Sequence, residues 1–103
     1  MDYTQWFSIR LAQLRTQKGV SARDMSLSLG QSESYINKIE NQRTMPSMSG
    51  FFYICEYLDI EPKDFFDAQN VSPIKASEIH AAIGKLTPSK AEHILQIILD
   101  MTD

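Results

Sequence analysis

The segment from Gly30 to Asn41 constrains the fold of this chain more than any other part. It predicts a turn followed by a short helix in which Ile36 and Ile39 form a narrow apolar face and most other side chains are polar. Gly30 suits the turn because glycine adopts positive φ without steric cost. A helix with so small an apolar face leaves most of its surface uncovered. We therefore expect its polar face to contact another molecule.

Apolar residues recur at helical spacing along nearly the whole chain, and no segment alternates in the way that a β-strand would. A first helix is predicted from Tyr3 to Lys18, with Gly19 as its left-handed cap. A short second helix is predicted to follow the N-cap Ser21 and to end at Gly30. The chain is therefore expected to be all-α.

The third helix is predicted to have Ser32 as its N-cap and to end near Asn41. Glu33 then lies in the first turn, where a carboxylate favours the positive end of the helix dipole. No glycine follows this helix, so Asn41 or Gln42 must take the left-handed cap conformation, which asparagine tolerates better.

A fourth helix is predicted after Ser47, and a short fifth helix begins at Pro62 and contains Phe65 and Phe66. The apolar face of the fourth helix comprises Met48, Phe51, Ile54, Cys55 and Leu58. Cys55 lies within that face, which favours a small buried hydrophobe over a redox thiol.

Residues 68–73 are predicted to be a linker, and residues 74–102 are predicted to form two further helices. Thr87 and Pro88 mark the start of the last helix. The earlier of the two carries the apolar stripe Ile79, Ala82, Ile83 and Leu86. The last helix is apolar on more than one side, and a five-helix bundle covers only one of them, so we expect a dimer contact. The alternative is that both helices pack on each other and on the first helix through Tyr3, Trp6 and Ile9.

Composition excludes several classes of protein. A chain of 103 residues with a single cysteine forms one core and no internal disulfide, and it lacks zinc-ligand spacing and a glycine-rich phosphate loop. His80 and His93 stand apart from any nucleophile or acidic cluster, which argues against an enzyme and against a cofactor or metal. With no signal-peptide pattern or membrane-spanning run, we expect a cytoplasmic protein.

The net charge of -3 is unevenly distributed. Residues 1–45 carry six bases and four acids, whereas the remainder carries four bases and nine acids. Such asymmetry is typical of a protein with one phosphate-facing surface, and random scatter of charge is the alternative.

The second and third helices, joined by a turn at Gly30, form a helix-turn-helix unit. Its helices cross closely, which requires a small residue four positions before the glycine, and that residue is Ser26. The apolar residues available to hold the crossing are Met25, Leu29, Ile36 and Ile39. Gln31 departs from the pattern because an apolar residue is expected directly after the glycine.

An ordered series of short motifs runs through the first two thirds of the chain. It comprises Leu14-Arg15, Lys18-Gly19, Ser34 to Asn41, Pro46-Ser47-Met48, Leu58-Asp59-Ile60 and Phe65-Phe66. From about Phe7 to Asp67 this series resembles the lambda-repressor-like, Xre/Cro-type family of DNA-binding domains. The resemblance implies an all-α, five-helix DNA-binding bundle over residues 3–67, with the helix-turn-helix motif at residues 22–41, followed by the two C-terminal helices.

The family resemblance also implies that the third helix enters the major groove of double-stranded DNA. The positions matching base-reading residues are Glu33, Ser34, Asn37 and Lys38. Asn37 suits a bidentate contact with adenine, Lys38 suits guanine or phosphate, and Glu33 suits a cytosine amino group. Solvated side chains, and for Glu33 a simple interaction with the helix dipole, are the alternatives.

Other positions match backbone-contacting or structural residues of the family. Tyr35 is expected to divide its ring between packing and a phosphate contact, Arg43 to bind the DNA backbone, and Ser21 or Ser32 to donate to phosphate. Arg15 and Glu40 match a structural ion pair. The glutamine usual at the start of the second helix is Ala22, which removes one phosphate contact and predicts modest affinity per subunit.

Two functions follow from these expectations. The first is a sequence-specific transcriptional regulator, repressor-like, that binds a near-palindromic operator as a homodimer and is associated with the nucleoid when bound. The second is a protein-interaction module of the antitoxin or adaptor kind, in which the apolar tail binds a partner. Self-association of the C-terminal helices would distinguish the two.

Overall fold

The computed structural model describes residues 2–67 and 72–102, and within these ranges every regular element is a helix. The helices are α1 Tyr3–Lys18, α2 Ala22–Ser28, α3 Tyr35–Glu40, α4 Met48–Leu58, α5 Pro62–Phe65, α6 Pro73–Gly84 and α7 Pro88–Thr102. The predicted all-α class is confirmed. The first five helices surround one core, and α6 packs against α1.

Fully buried side chains from each of the first five helices form the centre of the core. They are Leu11 and Leu14, Met25, Ile36 and Ile39, Ile54 and Leu58, and Phe65. A group of aromatic rings closes one end, where Phe7 lies 4.7 Å from Phe65 and 5.7 Å from Phe51 between ring centroids. Helix α3 is thus held by its two isoleucines, as its sequence pattern indicates.

The end of α1 is the predicted one. Gly19 has a φ of 79°, and its backbone N–H donates to the carbonyls of Arg15 and Thr16. Ser21 is the N-cap of α2, because its hydroxyl accepts from the Asp24 N–H at 3.0 Å. Local capping chemistry therefore sets both ends of the connection between α1 and α2.

Ser26 joins α2 to α3 through its side chain. It is fully buried, its hydroxyl donates to the Ala22 carbonyl at 2.7 Å, and the same oxygen accepts from the Ile36 N–H at 2.9 Å. Gly30 completes the turn with a φ of 72°, and the Gln31 N–H donates to the Ser26 carbonyl. Ser26 is therefore a hydrogen-bonding link between the two helices as well as a small residue at their crossing.

The predicted start of α3 is wrong. The helix begins at Tyr35 rather than after Ser32, and Glu33 precedes it, so Glu33 does not lie in its first turn. Its N-cap residue, Ser34, makes no capping bond through its side chain. The missing capping bond is explained by α2. An N-cap side chain usually accepts from a backbone N–H in the first turn, and here the Ser26 hydroxyl already accepts from that of Ile36.

The end of α3 resolves the choice between two cap residues. Gln42 has a φ of 61° and takes the left-handed conformation, whereas Asn41 has a φ of -95°. The N–H of Gln42 donates to Ile39 and that of Arg43 donates to Lys38, which is the hydrogen-bond pattern of a Schellman cap. The residue in the left-handed conformation is therefore Gln42, one position after Asn41.

The fourth helix buries Phe51, Ile54, Cys55 and Leu58 as predicted, but not Met48, which is 68% exposed. Met48 is the first residue of α4, and helical side chains lean toward the N-terminus, so its side chain extends past the core. Burial raises the pKa of the Cys55 thiol to about 11, with a smaller contribution from Asp64. Cys55 is therefore a protonated core residue at neutral pH.

Arg10 is buried and binds the end of α5. Its Nε donates to the Phe65 carbonyl at 2.7 Å, and Nη2 donates to the carbonyls of Asp64 and Asp67 at 2.7 Å and 3.2 Å. Burial lowers its pKa, while the charges of Asp67 and Asp64 oppose that shift. The charge of Arg10 is therefore bound within the protein, which a count of charges along the sequence does not show.

The C-terminal helices differ in how they attach to the bundle. α6 begins at Pro73, and residues 68–71 of the predicted linker lie outside the described part of the chain. Ile74 is buried beside Leu58, in a cleft that Lys18 and Ala81 also line. The apolar stripe that was predicted for this helix does not share the burial of Ile74, since its first residue, Ile79, is 53% exposed.

The first helix does not cover the tail in the alternative way that the sequence left open. Tyr3 is 77% exposed and Ile9 is 61% exposed. Trp6 stacks on the ring of Phe66, with the centroids 5.9 Å apart. Tyr3 and Ile9 are therefore not covered by the C-terminal helices as that alternative required, and α7 buries no residue.

We expect Ser26→Ala to lower the free energy of unfolding by about 1 to 3 kcal/mol, because it leaves the buried Ile36 N–H without an acceptor. Ser28→Ala, on the exposed last residue of the same helix, should change it by less than about 0.5 kcal/mol. Chemical denaturation measures both values. Equal effects of the two substitutions would contradict the role of the Ser26 hydroxyl.

We expect Ile74→Ala to cost about 2 to 4 kcal/mol of folding stability, because it removes a buried side chain between α6 and the bundle. Ile9→Ala removes the same atoms from an exposed site on α1 and should change stability by less than about 0.5 kcal/mol. Denaturation at a fixed protein concentration compares the two variants. If Ile74→Ala matched the control, α6 would not be part of the core.

Candidate nucleic-acid interface

The polar residues before and along α3 form one exposed surface. Asn37 and Lys38 are exposed on the helix, opposite the buried Ile36 and Ile39. Glu33 is exposed in the preceding turn, and Ser34 is half-buried. The four residues that the family resemblance assigns to base reading therefore lie within one turn and the helix that follows it.

Glu33 forms an ion pair with α2. Its Oε2 lies 3.4 Å from Nε of Arg23, and both side chains are largely exposed. Exposed pairs of this kind contribute little to stability. The pair nevertheless places a positive charge beside the carboxylate that would otherwise repel a phosphate backbone.

Asn37 is contacted by Asn41, one helical turn further along. The Asn41 Nδ2 donates to the side-chain Oδ1 of Asn37 at 2.9 Å and to its backbone carbonyl at 2.9 Å. Both residues are exposed. The side-chain amide of Asn37 is thus bound through its oxygen, which faces Asn41.

Tyr35 lies against the start of α4. A Cβ atom added at Gly50 would come within 2.8 Å of the Tyr35 hydroxyl oxygen and 3.2 Å of Ser47 Oγ. Burial raises the pKa of Tyr35. The close approach supports the packing part of the role predicted for Tyr35.

Three of the predicted phosphate-contacting residues are at the surface. Ser21 and Ser32 are exposed, and so is Arg43, which follows α3. The oxygen of Ser21 accepts the capping bond from Asp24, and its own O–H remains a donor. The geometry leaves each of these side chains accessible to a ligand.

Arg15 and Glu40 form a bidentate ion pair between α1 and α3. Nε of Arg15 lies 2.7 Å from Oε2 of Glu40, and its Nη2 donates to Oε1 at 3.0 Å. Its Nη1 donates to the Val20 carbonyl at 2.9 Å. The hydrogen bond to Glu40 raises the pKa of Arg15. The last turn of α3 is thereby attached to α1.

Much of the positive charge in the first 45 residues is used within the protein. Arg10 and Arg15 bind internal groups, Lys18 lies 5.0 Å from the centre of the Tyr57 ring, and Arg23 pairs with Glu33. Lys38 and Arg43 have no ion-pair partner among residues 2–67 and 72–102. The surface around α3 is therefore polar with only moderate positive charge.

Acidic residues gather on another face. A cleft of about 650 Å³ between α4, α5 and α6 is lined by residues that include Glu56, Asp59, Glu61 and Asp64. Within the described ranges, no cluster of histidine, cysteine and carboxylate side chains is arranged to hold a metal ion. No helix in this part of the chain has the length and apolar character to cross a membrane.

Three residues make contacts that were not predicted from the sequence. Arg10 entered only the count of bases, Ser26 was assigned only as a small residue, and Asn41 only as a cap. For Asn41 a signal existed, because Asn37 and Asn41 are four residues apart and so share one face of a helix. Arg10 and Ser26 contact backbone groups distant in sequence, for which no local signal exists.

Comparison with known proteins gives one match. The model of a helix-turn-helix domain family matches residues 9–71 of the 103 residues. No curated protein and no solved structure matched the chain. The matched range contains α2, the Gly30 turn and α3, and it agrees with the resemblance to lambda-repressor-like, Xre/Cro-type domains. Such a domain suggests a DNA-binding regulator. The chain belongs to this helix-turn-helix domain family.

Proposed function

We propose that this protein is a sequence-specific DNA-binding transcriptional regulator that acts as a homodimer on a near-palindromic operator. The observation that carries the proposal is the way in which α3 is attached to the rest of the bundle. Its inner face is buried, its start is bonded to Ser26 and its end to Arg15, while Asn37 and Lys38 remain exposed. A short helix attached at both ends and polar outside is suited to the major groove.

The roles of the exposed residues follow from their chemistry. Asn37 contacts adenine, Lys38 contacts guanine or phosphate, and Ser34 reads a base edge beside them. Glu33 accepts from a cytosine amino group while Arg23 compensates its charge. The contacts to the sugar-phosphate backbone come from Arg43, Ser21, Ser32 and the edge of Tyr35.

The dimer contact is proposed for α7. None of its residues is buried, although Leu95, Ile97, Ile98 and Leu99 are large and apolar. A second row, Ala91, Ile94, Ile98 and Met101, follows the three-four-three spacing of a packed helix pair. The polar residues Glu92, Gln96 and Asp100 share the opposite side. A second copy of the same helix offers a matching apolar face.

Dimerisation also compensates for weak binding by one subunit. Salt-sensitive phosphate contacts supply much of the affinity of DNA-binding proteins. Near α3, Lys38 and Arg43 are the bases that form no ion pair among residues 2–67 and 72–102. Two rigidly joined subunits bind two half-sites, and the second binding event is then intramolecular. A repressor-like regulator of this kind acts in the cytoplasm, on the nucleoid.

The alternative is an antitoxin or adaptor in which α7 binds a different protein. The same exposed apolar face favours it, because the face fits any partner helix with a complementary surface. The oligomeric state separates the alternatives. A homodimer supports the regulator, and a monomer with an uncovered α7 supports the adaptor.

Selection of bound duplexes from a random DNA pool tests the proposal directly. The expected product is a consensus with two-fold symmetry, and binding to it should weaken steeply as salt rises. Failure to enrich any sequence, or binding that is indifferent to salt, would argue against the regulator.

We expect Asn37→Ala to lose about 1 to 3 kcal/mol of discrimination at one base pair of each half-site, because it removes a base-edge contact. Arg43→Ala should instead weaken binding to all duplexes alike and reduce the salt dependence by about one phosphate contact. Titrations of both variants against the consensus and its single-base changes measure these effects. A change of base preference caused by Arg43→Ala would contradict the assignment of Arg43 to the backbone.

We expect Ile98→Glu to convert the dimer into a folded monomer, because a charge in the apolar face of α7 cannot be desolvated without a partner. Gln96→Glu adds the same charge to the polar side and should leave the dimer intact. Sedimentation equilibrium distinguishes the two species, and circular dichroism checks that both variants fold. If the wild-type protein is itself monomeric, the homodimer is ruled out and the adaptor is favoured.

A further inference from the structure

The side-chain amides of Asn37 and Asn41 form a contact that helix capping does not require. The Asn37 carbonyl already accepts from the Asn41 backbone N–H at 2.9 Å, as in any α-helix. The Asn41 side chain adds a second donor to that carbonyl and reaches the Asn37 Oδ1 at 2.9 Å. The bond to Oδ1 restricts the orientation of the Asn37 side chain.

The backbone at Asn41 gives no separate reason for an asparagine there. The left-handed residue after α3 is Gln42, with a φ of 61°, whereas Asn41 has a φ of -95° and a ψ of 12°. That conformation is accessible to most residues. What Asn41 contributes is therefore its side-chain donor.

We infer that Asn41 is a positioning residue that fixes the side-chain amide of Asn37 for contact with adenine. This inference rests on the proposed function. With Oδ1 held toward Asn41, Nδ2 occupies the opposite edge of the amide and donates outward. The second lone pair of Oδ1 remains available as an acceptor. A donor and an acceptor fixed side by side match N7 and the N6 amino group of adenine.

The fixed orientation discriminates against guanine. Guanine presents two acceptors, N7 and O6, in the major groove, so the acceptor Oδ1 of Asn37 faces an acceptor there. An amide that is free to rotate contacts N7 of either purine through Nδ2 alone. Removal of the Asn41 donor should therefore reduce discrimination between adenine and guanine more than it reduces binding to the preferred site.

The test is a double-mutant cycle on the duplex selected by the wild-type protein. Asn37→Ala first identifies the base pair that Asn37 contacts. Asn41→Ala is then expected to reduce the adenine-over-guanine preference at that pair by about five- to tenfold, within the range of a bidentate contact. It should leave preferences at the other base pairs unchanged, and it should have no further effect when combined with Asn37→Ala.

Asn41→Asp gives a second variant of nearly the same shape. Its carboxylate cannot donate to Oδ1, so the adenine preference should fall as it does for Asn41→Ala, whereas a role in shape alone would preserve it. Thermal unfolding should be little changed in both variants, because both asparagines are exposed.

The outcomes separate this inference from the function on which it rests. If the wild-type protein selects no sequence, the proposed function fails and the inference fails with it. If the protein selects a consensus but Asn37→Ala changes no base preference, or Asn41→Ala retains the full adenine preference, positioning by Asn41 is overturned and DNA binding stands.

Discussion

The hydroxyl of Ser26 is the contact on which the geometry of the helix-turn-helix unit depends. It joins the Ala22 carbonyl in α2 to the Ile36 N–H in α3, and both Ser26 and Ile36 are fully buried. A six-residue helix such as α3 is unstable alone, because nucleation costs more than so few hydrogen bonds return. Ser26 at its start, Ile36 and Ile39 along its inner side, and the Arg15–Glu40 pair at its end supply the missing stability.

The same scaffold explains the modest positive charge of the exposed surface. Arg10 binds carbonyls at the end of α5, and Arg15 binds α3, so two bases of α1 stabilise the bundle instead of facing a ligand. A buried arginine needs such partners because an uncompensated charge in the core is costly. Rigidity of the scaffold is thus obtained at the expense of surface charge. That exchange is consistent with a protein whose affinity depends on two subunits.

Much of the fold could be predicted from the sequence because its signals are local. Apolar spacing located the helices, and Ser21, Gly19 and Ser47 marked ends that the structure retains. The start of α3 could not be predicted, since the acceptor for the Ile36 N–H lies ten residues earlier, in another helix. The contacts of Arg10 were missed for the same kind of reason, because its backbone acceptors follow it by 54 to 57 residues.

The candidate site was predictable as a set of positions but not as an arrangement of partners. Exposure of Asn37 and Lys38 follows from the helical period, whereas the pairing of Glu33 with Arg23 depends on the angle between α2 and the turn.

The position of the C-terminal helices likewise depends on how the helices pack. Ile74 packs α6 against the bundle that holds α3. In a homodimer joined through α7, this attachment would limit the distances between the two copies of α3, and hence the spacing of half-sites on the duplex.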